Sequence, residues 1–182
     1  MTQGQGARPL AVAAAGRWRV DPSASSCSFL VRDKLVTTVR GSMPVVDGQA
    51  TVGHNGTVDT AYVEVSVEGI ATGNDHRDKD LRKPAFLDAA AHPRVRVGLT
   101  EKMAPEGNWS AGAVVQARGA TAPMTLAAEV VECSALEIRL HVRGRLDRRP
   151  LGIKAPSFLV GRFVELEADL TFRLLPADPT DH

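Results

Sequence analysis

At 182 residues, with 43% hydrophobic and 24% charged side chains, the chain is sized for one domain that can bury a core without disulfides or metal. Lys and Arg total 22 against 21 Asp and Glu, and the formal charge of +1 excludes a global field that would draw in nucleic acid or an anionic membrane. No stretch reaches the roughly 20 consecutive apolar residues of a bilayer-crossing helix, so no transmembrane segment is expected.

The chain opens with residues 1–16, in which Arg8 precedes the short apolar run Leu10 to Ala15. A secretory leader needs an apolar core of roughly 7–15 residues behind a positive flank, and this run falls short on both counts. Residues 1–16 therefore read as a flexible arm, 17–175 as one barrel domain and 176–182 as a tail, in a cytoplasmic protein.

Strand patterns follow the arm. Cys27 to Arg32 and Val36 to Ser42 are the first candidates. From Ala61 to Ile70, Ala61, Val63, Val65 and Val67 face one way while Tyr62, Glu64, Ser66 and Glu68 face the other, the period-2 pattern of a strand wet on one side. Asn74 to Ala90, NDHRDKDLRKPAFLDAA, breaks the alternation. Asn74 is a helix N-cap, Asp75 and Asp78 suit the first turn, and Asp75–Lys79 and Asp78–Arg82 stand at ion-pair spacing. Pro84 ends or kinks this helix, so the reading is one short helical excursion, in two pieces, between two strands.

Alternation then resumes with Val95, Val97 and Leu99 against Arg94 and Arg96, and further strands are expected at Trp109 to Arg118 and Met124 to Val131. Leu136, Ile138, Leu140, Val142 and Leu146 oppose Glu137, Arg139, His141, Arg143 and Arg145. In the last segment Val164, Leu166, Ala168, Leu170 and Phe172 oppose Glu165, Glu167, Asp169, Thr171 and Arg173.

About eight one-sided strands need a common interior. A sandwich supplies one, and a closed antiparallel barrel supplies one while also removing exposed edges. Parity within each strand points Phe29, Val31, Val65, Val97 and Leu126 inwards, together with Ile138, Leu140, Leu166, Leu170 and Phe172. Ala111, Ala113, Ala117, Ala128 and Ala168 are small inward residues, which favours a cavity in a barrel just wide enough for one ligand.

The strands carry short motifs in a set order. Trp18-Arg-Val-Asp-Pro22 is followed by Ser25-Ser-Cys-Ser-Phe29 and Val39-Arg-Gly-Ser-Met43. Ala71-Thr-Gly-Asn74 precedes Arg77-Asp78, Leu81, Phe86-Leu-Asp88 and His92-Pro93. Ala117-Arg-Gly-Ala-Thr-Ala-Pro-Met124 and Leu146-Asp-Arg-Arg-Pro-Leu-Gly-Ile153 complete the series. Taken in order, from Trp18 to Leu174, they resemble the YceI-like family, whose members are lipocalin-like and bind polyisoprenoid or fatty-acyl chains in an eight-stranded barrel. The resemblance implies that fold and an apolar ligand. Departures from the family pattern fall at Ala24, Asp33 and Asp80, where His is common, and at Met43, Leu87, His92 and Leu151, where aromatics are common. With aromatics at 4% of the chain, the interior is expected to be roomier or shaped for another ligand.

Reactive chemistry finds little support. No G-x-S-x-G stands before a helix, the five His residues make no H-x-x-x-H, and neither a metal nor any other cofactor is expected. Cys27 and Cys133 lack C-x-x-C spacing and read as buried apolar residues, with a single long-range disulfide left open. Asp147-Arg148-Arg149 reads first as a staple for the last connection. Its functional version places Arg148 or Arg149 with Arg77, Arg82 and Lys83 on a rim that attracts a carboxylate or phosphate, and of these Arg77, Arg82 and Arg148 are the three arginines taken into the ligand site. The expected ligand site is thus the ten inward residues above, Ala113, Ala168 and these three arginines. The expected partner is an apolar small molecule or lipid, and a second copy of the chain is the one macromolecular partner considered. The alternative function is an enzyme that cyclises or isomerises a flexible apolar substrate, with Asp33 supplying the proton.

Overall fold

The computed structural model describes residues 13–32, 38–104, 108–154 and 161–177. Most of the expected arm, Val36, Asp33 and most of the tail lie outside the described residues. Ten strand segments form one antiparallel sheet: β1 (Gly16–Val20), β2 (Ser26–Arg32), β3 (Thr38–Ser42), β4 (Val45–Val52), β5 (Val58–Ser66), β6 (Arg94–Leu99), β7 (Asn108–Ala117), β8 (Ala120–Cys133), β9 (Glu137–Asp147) and β10 (Phe163–Leu174).

The ten segments make an eight-stranded closed barrel, because two of its strands are broken. β1 and β2 lie in succession along one edge of β10, with Val20 opposite Phe172 and Val31 opposite Val164. β4 and β3 run alongside them in the same way, with Gln49 opposite Arg19 and Ser42 opposite Ser28. The first break is written in Asp21-Pro22: the Asp21 carboxylate accepts from the Ser23 amide at 3.0 Å and caps a short 3-10 turn, Pro22–Ala24. The second break falls at Pro44, which has no amide hydrogen to give a ladder. From β4 onward each strand pairs with the next, and β10 closes the barrel on β1.

The alternation in sequence is the alternation in space. On β8, Ala122, Met124 and Ala128 are buried while Thr121, Thr125 and Glu129 are exposed. The strand expected at Ala61 to Ile70 begins earlier, at Val58, and ends at Ser66. β4 escaped the pattern because its register shifts between Val45 and Asp47, a bulge that puts two residues where alternation allows one. Leu136, expected on the inner face, lies in the turn before β9 and is 67% exposed.

The helical excursion is α1 (Asp75–Arg82), between β5 and β6. Asn74 caps it by accepting from the Arg77 amide at 3.0 Å. The expected ion pair of Asp78 with Arg82 is replaced by two backbone ties. Asp78 is buried and accepts from the Thr72 amide at 2.9 Å and hydroxyl at 2.6 Å, while Arg82 donates to the Ile70 carbonyl at 3.2 Å. The second helical piece is absent: Lys83 is extended, as the residue before a proline is driven to be, and residues 84–87 form turns.

The two ends of the barrel differ. At the end holding the chain's N-terminal side, Trp18 is fully buried among Ala13, Val52, Val58, Ile138 and Phe172, and its indole donates to the Ala14 carbonyl at 3.1 Å. Ala13 and Ala14, expected in the loose arm, are therefore packed. At the other end the lumen is bordered by the α1 excursion, a 3-10 turn at Arg149–Leu151 and the β7–β8 turn. In that turn Arg118 and Gly119 both have positive φ, 54° and 72°, the conformation a tight two-residue hairpin requires.

Candidate ligand cavity

Inward side chains leave an apolar cavity of about 220 Å³ inside the barrel. Most of the residues expected to line it do so. β2 contributes Phe29 and Val31, β5 Val65, β6 Val97, β8 Leu126 and β9 Leu140, while β10 contributes Leu166, Ala168, Leu170 and Phe172. Val164 and Phe172 both reach it, so the space runs along a strand for about 25 Å at roughly 3.3 Å per residue. Ala113 and Ile138 stand apart from it. Ala113, 2% exposed, packs with Val115, Met124 and Leu146, and Ile138 belongs to the cluster around Trp18.

Further lining comes from residues that the inward set omits. Cys27 stands on β2, Ile70, Leu81 and Leu87 belong to the α1 excursion, and Leu151 and Ile153 lie in the β9–β10 connection. Leu81 is the one apolar residue of α1, and a solitary leucine in a charged helix is the signal that could have found it. Burial pushes the Cys27 thiol up to about 11, so it stays neutral and behaves as a small apolar wall residue. Both cysteines are free thiols.

Glycine shapes the wall. Gly144 occupies an inward position on β9, where a Cβ would meet the Met124 Cε at 2.2 Å and the Leu126 Cδ2 at 2.9 Å. Gly41 on β3 likewise accommodates the Phe29 ring, which a Cβ would meet at 2.4 Å. Large side chains therefore lie flat against their neighbours instead of projecting across the lumen.

The three candidate arginines separate. Arg82 is held by the Ile70 carbonyl and Arg77 stands on α1, and neither lines the cavity. Arg148 does line it. Its Nε donates to the Gly161 carbonyl at 2.6 Å and its Nη1 to the Ile153 carbonyl at 2.8 Å, both partly buried. Desolvation lowers its pKa, and its neighbour Asp147 is engaged elsewhere. Asp147 takes Arg149 at 2.9 Å and Arg162 at 2.8 Å, and these hydrogen bonds hold its carboxyl well below the ordinary range. The staple expected at 147–149 is thus made by Asp147 and Arg149, while Arg148 ties the β9–β10 connection through its two carbonyl bonds and borders the cavity, whose surface is almost wholly apolar. Among the described residues no group of three or more His, Cys, Asp or Glu could hold a metal ion. Asp33, the acid of the enzymatic alternative, lies outside the described residues. No described helix is long and apolar enough to cross a membrane.

The family model described as YceI-like domain matches residues 18–172. The chain is similar to the solved structure of Burkholderia cenocepacia BcnA, with a TM-score of 0.70 at 12% identity over 84% of this chain and 98% of that one. A polyisoprenoid binding domain from Saccharophagus degradans, implicated in plant cell wall breakdown, aligns with a TM-score of 0.67 at 14% identity over 87% of this chain and 98% of that one. A Campylobacter jejuni YCEI protein gives 0.64 at 13% identity over 80% and 91%. No curated protein matches the chain.

Proposed function

This chain belongs to the YceI-like family, and we propose that it binds a linear apolar ligand, an isoprenoid or fatty-acyl chain, along the barrel axis and sequesters or carries it. The observation behind this reading is the cavity itself, about 220 Å³ with walls built from apolar side chains of both sheet and loops. The Saccharophagus domain of the same fold is described as polyisoprenoid binding, which supports an apolar chain as the occupant. Energetics agree: each buried CH₂ contributes roughly 0.8 kcal/mol, so a tail of about ten carbons outweighs moderate association costs with few polar anchors.

Native mass spectrometry of protein purified without detergent tests the reading. A retained species of lipid mass, displaced by added long-chain lipid, is the expected result. If delipidated protein takes up neither isoprenoid nor acyl chains at micromolar concentration, the carrier reading is wrong.

A further inference from the structure

The formal charge of +1 averages over a segregation that the fold makes visible. We infer that the barrel docks on an anionic lipid bilayer through the outer wall of β9, β10, β2 and β3, at the end bordered by α1 and the β7–β8 turn, the mouth. The use of such a surface, to load or release the apolar ligand, rests on the carrier reading; the surface itself does not. Two rows of outward side chains build it. Asp147 pairs with Phe163, with Arg32 on the strand beyond, and the next row runs Arg145, Glu165, Leu30 and Arg40. Arg32 reaches Glu165 at 3.7 Å, and Arg149 and Arg162 join from the β9–β10 connection, where both bind Asp147. Five arginines thus meet two carboxylates, and Arg40 and Arg145 are exposed with no ion pair among the described residues.

The rest of the wall has the opposite sign. Towards the packed end, Arg139 and Arg143 stand against Glu129, Glu132, Glu167 and Asp169. The α1 side of the mouth is balanced, with Arg77, Lys79 and Lys83 beside Asp75, Asp80 and Asp88. A surplus of three positive charges at one rim and a deficit of two below it turn the mouth towards a negative surface. Apolar side chains favour a bilayer over another polyanion. Leu30 and Phe163 are half-buried on the outer face among the arginines, and they belong to neither the core clusters nor the cavity wall. Such a set suits the headgroup level, where guanidiniums meet phosphate and apolar groups reach the acyl boundary. Arg145 and Arg162 lie over the Phe163 ring, 3.9 and 4.8 Å from its centroid, and so occupy the platform on which an unpaired nucleic-acid base would stack.

Flotation of the full chain with phosphatidylcholine vesicles, with and without about 30% phosphatidylglycerol, reads the docking. Binding is expected on the anionic vesicles at about 50 mM salt, falling about tenfold or more at about 300 mM, with little on phosphatidylcholine alone. Each arginine at such a surface is worth about fivefold, so Arg40→Gln with Arg145→Gln should weaken binding about tenfold or more at an unchanged urea midpoint. Arg139→Gln with Arg143→Gln removes the same charge from the lower wall and should stay within about threefold of wild type. Arg40→Lys with Arg145→Lys should keep the binding, since the bilayer reads charge. No binding to anionic vesicles, equal binding to neutral ones, or equal loss from the two neutralised pairs overturns the inference. Tighter binding of a single-stranded oligonucleotide that depends on Arg40 and Arg145 would assign the surface to nucleic acid and overturn the bilayer. Lipid uptake without docking rejects this inference alone, whereas docking by protein that takes up no lipid leaves it standing and rejects the carrier reading.

Discussion

The two ends of the barrel are closed by different physics. Around Trp18 the lumen is filled by apolar contact, with Val52, Val58, Ile138 and Phe172 against an indole that has a single hydrogen bond. At the mouth, arginines hold loops by donating to backbone carbonyls: Arg82 to Ile70, Arg118 to Gly152 and Pro84, and Arg148 to Gly161 and Ile153. Close packing is non-directional and is lost only when the whole cluster opens. A hydrogen bond from an arginine to a carbonyl exchanges readily with water and has a modest net value. The two ends should therefore differ in how easily they open, the arginine-tied end more readily than the packed one.

The largest effect should come from breaking the packed end. Trp18→Ala removes a fully buried side chain and is expected to cost about 3–5 kcal/mol, read by urea denaturation. The same experiment on Leu81→Ala, at the mouth, should cost less, towards the lower end of the roughly 2–5 kcal/mol range, because one of its sides already faces the cavity. An equal or larger loss at Leu81 would erase the distinction between the ends.

Next in size is a pair of insertions. Ala168 lines the cavity, so Ala168→Phe should fill it, lower affinity for a C16 chain at least tenfold and leave stability nearly unchanged. Ala113 packs against Met124 and Leu146, so Ala113→Phe should overpack that wall and cost about 1–3 kcal/mol with a smaller direct effect on binding. Reversal of the two outcomes would mean that the lumen lies elsewhere.

How much of this was legible follows from what each residue answers to. Inward parity on β2, β5, β6, β8, β9 and β10 was readable because a strand's side-chain period is a property of the strand alone. β4 was not, since a bulge at Val45/Asp47 interrupts its alternation, and Leu136 was misplaced because parity cannot say where a strand begins. Asp78 and Arg82 stand at ion-pair spacing, yet each turned to a backbone group, Thr72 and Ile70, that only the tertiary fold brings near. The cavity walls contributed by Leu87 and Ile153 were invisible because they belong to loops with no period to read, whereas Leu81 was legible as the one apolar residue of α1. Ala113 and Ile138 share parity with the lining residues but sit at heights where neighbours already fill the space.

A smaller effect is expected at Arg118. Its guanidinium spans two loops, reaching Gly152 at 2.6 Å and Pro84 at 2.9 Å from a turn in the left-handed region. Arg118→Ala should lose about 1–2 kcal/mol of local tethering. Amide exchange should quicken at residues 84–90 and 149–154 and ligand dissociation accelerate several-fold, while exchange around Trp18 stays as it was. Uniform acceleration across both ends would show that the mouth does not open independently.

Acid gives the smallest effect and the sharpest separation of the two ends. Asp21 ties the β1–β2 break to β10, and its hydrogen bonds to Ser23 and then Arg173 lower its carboxyl to about 2. Asp147 ties the mouth through Arg149 and Arg162 and lies lower still. In the unfolded chain both titrate near the ordinary aspartate value of about 3.9. A group whose pKa falls on folding binds fewer protons in the native state, so its stabilisation is complete above about pH 4 and is lost as pH falls through the native pKa. Both carboxylates are partly exposed, with 23% of each side chain accessible, so the contribution is small and screened by salt. Carboxyl carbon shifts followed by NMR from pH 5 downward should therefore show Asp21 titrating near pH 2 with Asp147 still ionised, and Asp21→Asn should remove the first transition alone. Asp147 titrating before Asp21 would mean that Arg149 and Arg162 do not hold it in solution, and that the last connection is tied by Arg148 and Arg118 without it.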